Sequence, residues 1–201
     1  MNKNIITNIN HYCHRKEIND KIYDLVTYYT SKHSKVLFVR FDIRYPRFYI
    51  SDNSNRDISD CFSYVIKKYK RDGLDPHYNW VREQNYSDNP HYHCVLLLDG
   101  QKCRRYSHVF DTVEAAWGRV LGCDVRGCIH HCTDSNDIDS NGILLCRSDS
   151  HTRYQENLDK VYNRLSYLSK SFSKAEESDG LRNFATSKFT NLNNYNGYER
   201  S

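Results

Sequence analysis

The sequence has no apolar run long enough to cross a bilayer, and its opening, MNKNIITNINHYCHRKE, has none that could act as a secretory leader. That predicts a soluble, cytoplasmic protein with no membrane partner. It also lacks any Cys-x-x-Cys spacing, although eight cysteines are present. The expectation is therefore reduced thiols rather than disulfides. The tightest cysteine group, Cys123, Cys128, His130, His131 and Cys132, fits no common zinc pattern and reads as structural. No Gly-x-x-x-x-Gly-Lys phosphate loop occurs, which excludes an ATPase or helicase domain here. Internal repeats are missing too. Strong charge of one sign is absent: a net charge of +4 and a pI near 8.5 permit a nucleic-acid partner without arguing for one. Leu, Ile and Val are modest in number, and 17 Tyr, 8 Phe and 2 Trp supply apolar bulk instead. Most of those tyrosines are expected in the core and its rim, although tyrosine can also stack on unpaired bases.

At 201 residues the chain is long enough for one domain with a sizeable core. Residues 1–15 read as loose and polar, and Ile18, Ile22, Leu25, Val26 and Tyr29 then recur at helical spacing up to Lys32. In SKVLFVRFDIRYP, from Ser34, Leu37, Val39, Phe41 and Ile43 alternate with Val36, Phe38, Arg40, Asp42 and Arg44. This predicts a half-buried strand whose second face becomes a polar working surface from Arg40 onward. A helix follows (ISDCFSYVIKKYKRDG), then two strands, a second helix (HVFDTVEAAWGRVLG) and a strand in VRGCIHHC. Strand, helix, strand, strand, helix, strand is the order of a split βαβ, the α+β antiparallel sheet of ferredoxin-like and RRM-like folds. The expected division is residues 1–33 as an N-terminal helical region, 34–174 as the core and 175–201 as a polar tail. Ile143–Cys146 reads as a short edge element, and the last long helix runs from about Thr152 to Lys174.

The chain is organised around NPHYHCVLLLDG, Asn89 to Gly100. A short apolar run between turn signals predicts a buried strand, and alternation puts His91, His93, Val95 and Leu97 on one face. Two imidazoles at the end of a buried strand are costly unless held, and a divalent metal is the usual answer. A lone His-x-His pair is common. Glu83 strengthens it, because HYNWVREQN is a strand joined to the first by a short connection, so a carboxylate can stand beside the histidines. Which face Glu83 occupies is left open by the sequence, with Asp42 as the next choice of third ligand.

On the last helix, Tyr154, Leu158, Val161, Leu165, Leu168 and Phe172 form an apolar stripe. Tyr167 falls roughly 150° from its centre, at about 100° per residue. Lys160, Asn163, Lys170 and Lys174 are near it on the wheel, so packing on this helix does not explain that tyrosine. A phenol is a weak nucleophile at neutral pH, but it can attack a phosphodiester when a metal and a cation stabilise the developing charge. His91, His93 and Glu83 are the candidate metal ligands, Tyr167 the candidate nucleophile and Lys170 the supporting cation. Arg40, Asp42, Arg44 and Lys174 are candidate DNA contacts.

His91-Tyr92-His93 resembles the His-hydrophobe-His motif of HUH endonucleases, and Tyr167-Leu-Ser-Lys170 resembles their single-tyrosine Tyr-x-x-Lys motif. FVRFDIRYP, the WVRE…HYHCVLLLDG block, AAWGRVLG and RLSYLSK, with FATSK behind it, are similar to inovirus-type replication initiators of the YagK/YfjJ group. The similarity runs from about Leu37 to Lys188. It implies a phage or prophage initiator that nicks one DNA strand at an origin, expected here to be single-stranded or extruded so that a phosphate can reach the site, with Mg or Mn favoured over Zn on availability. It would leave a 5′-phosphotyrosine and a free 3′-OH for rolling-circle synthesis by host helicase and polymerase. The resemblance maps the ligand-strand carboxylate onto Glu83. Tyr162, about 140° from Tyr167 on the wheel, is not paired with it. Transposition or conjugative nicking would use the same site. A non-catalytic RRM-like nucleic-acid-binding sheet and a zinc hydrolase are the readings from other classes.

Overall fold

The computed structural model describes residues 3–84, 87–133, 141–172 and 181–189, without the side chains of residues 3–15, 17, 18, 167 and 169–172. Among these, the elements run α1 (Lys3–Lys32), β1 (Lys35–Ile43), α2 (Arg56–Arg71), β2 (His77–Glu83), β3 (His91–Asp99), α3 (Ser107–Leu121), β4 (Ile129–His130), β5 (Ile143–Cys146), α4 (His151–Phe172) and β6 (Phe184–Thr186). The sheet order is β4-β1-β3-β2-β6, with every pairing antiparallel. The first four strands of that path have the split βαβ arrangement expected from the sequence. No helix is long and apolar enough to cross a membrane among the described residues.

Alternation along the strands sorts the core into two layers. Leu37, Val39, Phe41 and Ile43 of β1, with Tyr92, Cys94, Leu96 and Leu98 of β3, meet the apolar stripes of α2 and α3. Those stripes are Ile58, Cys61, Phe62, Val65 and Tyr69, and Val109, Phe110, Val113, Ala116 and Trp117, each at helical spacing. The α3 helix stops at Gly122, whose φ of 66° is the left-handed cap that glycine adopts without a Cβ penalty. Trp117 also donates Nε1–H to the Arg44 carbonyl at 2.9 Å, fixing the end of β1.

The opposite face is covered as well. Val36, Phe38, Val81, Val95 and Leu97 pack against Ile22, Leu25, Val26 and Tyr29 of α1 and Val161, Leu165 and Leu168 of α4. The N-terminal helix therefore belongs to the same core, and it begins at Lys3 rather than near Arg15. No proline or glycine interrupts the chain before Pro46, so nothing in the sequence breaks it earlier. The polar working surface expected on β1 is corrected by this layer: Arg40 and Asp42 are 8% and 6% exposed, and only Arg44 reaches solvent.

Three edges differ from expectation. The strand expected across VRGCIHHC shrinks to Ile129–His130, because Gly127 and Cys132 take positive φ (78° and 49°) and turn the chain off the sheet. The edge of β1 between β4 and β5 is filled by a side chain: Asn141 Oδ1 accepts from Arg40 N at 3.0 Å, and its Nδ2 donates to Arg40 O at 2.5 Å. That amide copies a backbone rung, which leaves Arg40's buried peptide groups satisfied. Within the segment expected to be a loose tail, residues 184–186 form β6 and pair with β2 from Asn79 to Val81.

Candidate metal centre

The antiparallel register brings the polar ends of three strands together. Asp42 stands opposite His93, and Glu83 opposite His91. The same alternation that sends Val95 and Leu97 under α1 and α4 therefore places Asp42, His91, His93 and Glu83 on that face, at one end of the sheet. Glu83, whose face the sequence left open, lies on the histidine side, and Arg82 is directed to the other, where its Nη2 donates to Asn53 O at 3.0 Å.

Glu83 Oε2 is 2.7 Å from His93 Nε2 and 3.0 Å from His91 Nε2. The three donors lie within 4.8 Å of one another. Two imidazole nitrogens and one carboxylate oxygen are a donor set that first-row divalent metals accept, so these residues fit a divalent cation. His93 and Glu83 are buried (4% and 6% exposed), whereas His91 is only partly covered, so the centre opens on the His91 side.

Asp42 supports this set rather than joining it. Its Oδ1 is 2.8 Å from His93 Nδ1, which directs His93 Nε2 toward Glu83. Arg40 Nη2, 3.7 Å from the same oxygen, adds positive charge behind the carboxylate. Burial alone would raise the Asp42 pKa, but the His93 hydrogen bond and the charges of His93 and Arg40 hold it below the usual carboxylate value. For His93 burial acts downward and is outweighed by the hydrogen bonds and charges of Asp42 and Glu83, so its pKa is raised. His91 moves the other way, lowered by burial and by His93 beside it, against the pull of Glu83.

Two further groups flank Asp42 that sequence spacing had assigned to structure alone. His130, opposite Asp42 on β4, brings Nδ1 to 4.0 Å from Asp42 Oδ2. Cys132 Sγ lies 3.4 Å from the same nitrogen, and burial pushes that thiol up to about 12. The signal for them was the dense Cys/His group, but its third member comes from β1.

The expected nucleophile Tyr167 and its partner Lys170 are placed by backbone on the last turns of α4, next in sequence to Leu165 and Leu168, which are buried with Val81, Val95 and Leu97 of the sheet. Their side chains lie outside the described ones, as does the whole of Lys174. Of the expected DNA contacts, Arg40 and Asp42 are buried behind the Glu83, His91 and His93 set, and Arg44 is exposed beyond the end of β1. Tyr162 is used in packing: its ring stacks on Tyr23 of α1 at 5.2 Å between centroids.

Residues 1–187 match a family model, that of the YagK/YfjJ C-terminal domain. No curated protein and no solved structure matches the chain.

Proposed function

The chain belongs to the YagK/YfjJ C-terminal domain family, and within it we propose a metal-dependent nicking enzyme for single-stranded DNA that works through a tyrosine. The observation that carries the reading is the convergence of Glu83, His91 and His93 across a register-locked hairpin, on the face crossed by the helix that bears Tyr167. Glu83, His91 and His93 would hold a divalent cation, Mn fitting two imidazoles better than Mg. A cation there supplies Lewis acidity to a phosphodiester oxygen.

The remaining work falls to the chain. Asp42 fixes the tautomer and orientation of His93. Tyr167 Oη forms the new bond to phosphorus, the bond from phosphorus to the 3′ oxygen breaks, and the phenolic proton is lost to solvent as the 3′ oxygen gains one. Lys170 stabilises the charge on the phosphate. The product is a 5′-phosphotyrosine with a free 3′-OH. Because bond energy is retained in the adduct, rejoining needs no nucleotide. Such chemistry suits an initiator of phage or prophage rolling-circle replication, and it serves transposition or conjugation equally well.

An RRM-like binding sheet is disfavoured, because that mode needs an open sheet face on which bases stack. Here helices cover both faces. The deciding experiment mixes the protein with Mn or Mg and a pool of single-stranded DNA, then denatures it. A DNA adduct on a peptide containing Tyr167, abolished by Tyr167→Phe and by His93→Ala, is the expected result. Cutting without an adduct points to water as nucleophile and overturns the tyrosine reading.

A further inference from the structure

Beside the Glu83 centre, Asp42, His130 and Cys132 form a second group whose donor atoms all lie within 4.8 Å of one another. Its chemistry differs from the first. One thiol, one imidazole and one carboxylate are the donors of a borderline-soft cation, whereas Mg and Mn prefer oxygen. We propose that Asp42, His130 and Cys132 form a zinc site, separate from the Glu83 centre and joined to it through the Asp42 carboxylate. This inference does not rest on the nicking reading.

The spacing is near that of a zinc site, with one hydrogen bond to give up: Cys132 N–H donates to His130 Nδ1 at 3.3 Å, and a cation on that nitrogen would replace it. Tetrahedral zinc, with Zn–S near 2.3 Å and Zn–N near 2.0–2.1 Å, sets sulfur and nitrogen about 3.6 Å apart and nitrogen and oxygen about 3.4 Å apart. Cys132 Sγ and His130 Nδ1 are 3.4 Å apart, and His130 Nδ1 and Asp42 Oδ2 are 4.0 Å apart. Cys132 Sγ and an Asp42 carboxylate oxygen lie within 4.8 Å of each other.

Three features hold the group in shape. The register of β1 and β4 fixes Asp42 against His130. The positive φ of Cys132, 49°, folds the chain back so that its sulfur meets the ring two residues earlier. Arg164 of α4 donates through Nη1 to the Cys132 carbonyl, and Asn141 Nδ2 donates to the His131 carbonyl. The side chain of His130 is 62% exposed, which leaves a path for the cation and room for a water as fourth ligand.

Positive charge faces the group as well. Arg40 lies 3.7 Å from Asp42 Oδ1 and opposes a cation, so the thiolate and carboxylate charges must offset it. The two carboxylate oxygens divide the work. Oδ1 holds His93 Nδ1 and Oδ2 faces His130, so filling one centre constrains the orientation of a ligand in the other.

The test uses the full chain titrated with Co(II) and, separately, with Zn(II). Metal content after gel filtration and the near-ultraviolet thiolate-to-cobalt charge-transfer band are the readouts. The parent should retain about two equivalents and show the band, one cation for each donor set. His130→Ala changes an exposed side chain and should fold normally, retain one equivalent and lose most of the band. Cys132→Ser should lose the band altogether. His91→Ala should also fall to one equivalent but keep the band. A parent without the band, a band that survives Cys132→Ser, or a parent that retains only one equivalent and binds none after His91→Ala would each overturn the proposal.

Discussion

Asp42→Asn is the sharpest probe of how the Glu83 centre is built, because it changes one charge and almost no volume. The Asp42–His93 contact is 2.8 Å long, and both side chains are nearly covered, at 9% and 5% exposure. A buried hydrogen bond to a charged group contributes about 1.5–3 kcal/mol. Outer partners of metal-binding histidines typically alter affinity about 10- to 100-fold, or about 1.4–2.7 kcal/mol, and the two ranges agree. An asparagine can also rotate its amide and donate to Nδ1, which would turn the imidazole into the wrong tautomer. Calorimetric titration with Mn(II) in a Cys132→Ser background isolates the Glu83 centre and should show at least tenfold weaker binding. Circular dichroism should show an unchanged fold. Affinity within about twofold of the parent would mean that His93 is oriented by packing alone, and the supporting role of Asp42 would be withdrawn.

At the other end of the sheet, Asp75 Oδ2 meets His33 Nε2 at 2.7 Å and Lys32 Nζ at 2.8 Å. Burial would raise its pKa, but those hydrogen bonds and charges hold it low, so the folded state gains stability above the unfolded carboxylate's pKa and loses it as pH falls below about 4. Asp75→Asn, tolerated at a φ of 46°, should cost about 1 kcal/mol near neutral pH and flatten the acid limb of a stability-versus-pH curve; an unaltered limb would contradict this. Tyr162→Phe should shift the melting temperature by only a few degrees and leave any DNA adduct intact, since stacking on Tyr23 is retained; burial already pushes that phenol up to about 12. Replacing Arg40, Asp42, Glu83 and His93 together by apolar residues of similar volume should leave stability equal or raise it by up to about 4 kcal/mol, whereas Asp42→Leu alone should lose about 3–5 kcal/mol, as read by denaturant unfolding. A quadruple variant less stable than Asp42→Leu would refute that.

Much of this architecture was legible because it rests on short-range periodicity. The alternation in VLFVRFDI gave β1, the apolar run between Asn89-Pro90 and Asp99-Gly100 gave β3, the stripes of Phe62 and Trp117 gave α2 and α3, and the short connection up to Pro90 gave the hairpin that pairs Glu83 with His91. Periodicity says which residues share a face, but not what covers it. Arg40 and Asp42 therefore read as a solvent face, although α1 and α4 lie over it. Contacts between residues far apart in the chain were illegible for the same reason. Asn141 completing the edge at Arg40, His130 meeting Asp42 and β6 joining β2 depend on partners that no local pattern names.

The polar end of that face breaks the rules obeyed by the rest of the sheet. Farther along, Val36, Phe38, Val95 and Leu97 bury apolar surface between two helices at a gain of about 25 cal/mol per Å². At the other end Arg40, Asp42, His93 and Glu83 are withdrawn from water, and each charge must be compensated by its neighbours. The bonds from Asp42 and Glu83 to the two nitrogens of His93 limit that cost, but an apolar set of equal volume would avoid it. Stability therefore does not account for the arrangement, whereas a fixed donor set does. Antiparallel pairing holds each ligand to its neighbour through backbone hydrogen bonds, and two helices clamp the face from above, so little conformational freedom remains to be lost when a cation binds. In the proposed nicking reaction a strand would therefore reach the centre from the partly exposed His91 side, because helices cover the rest of that face.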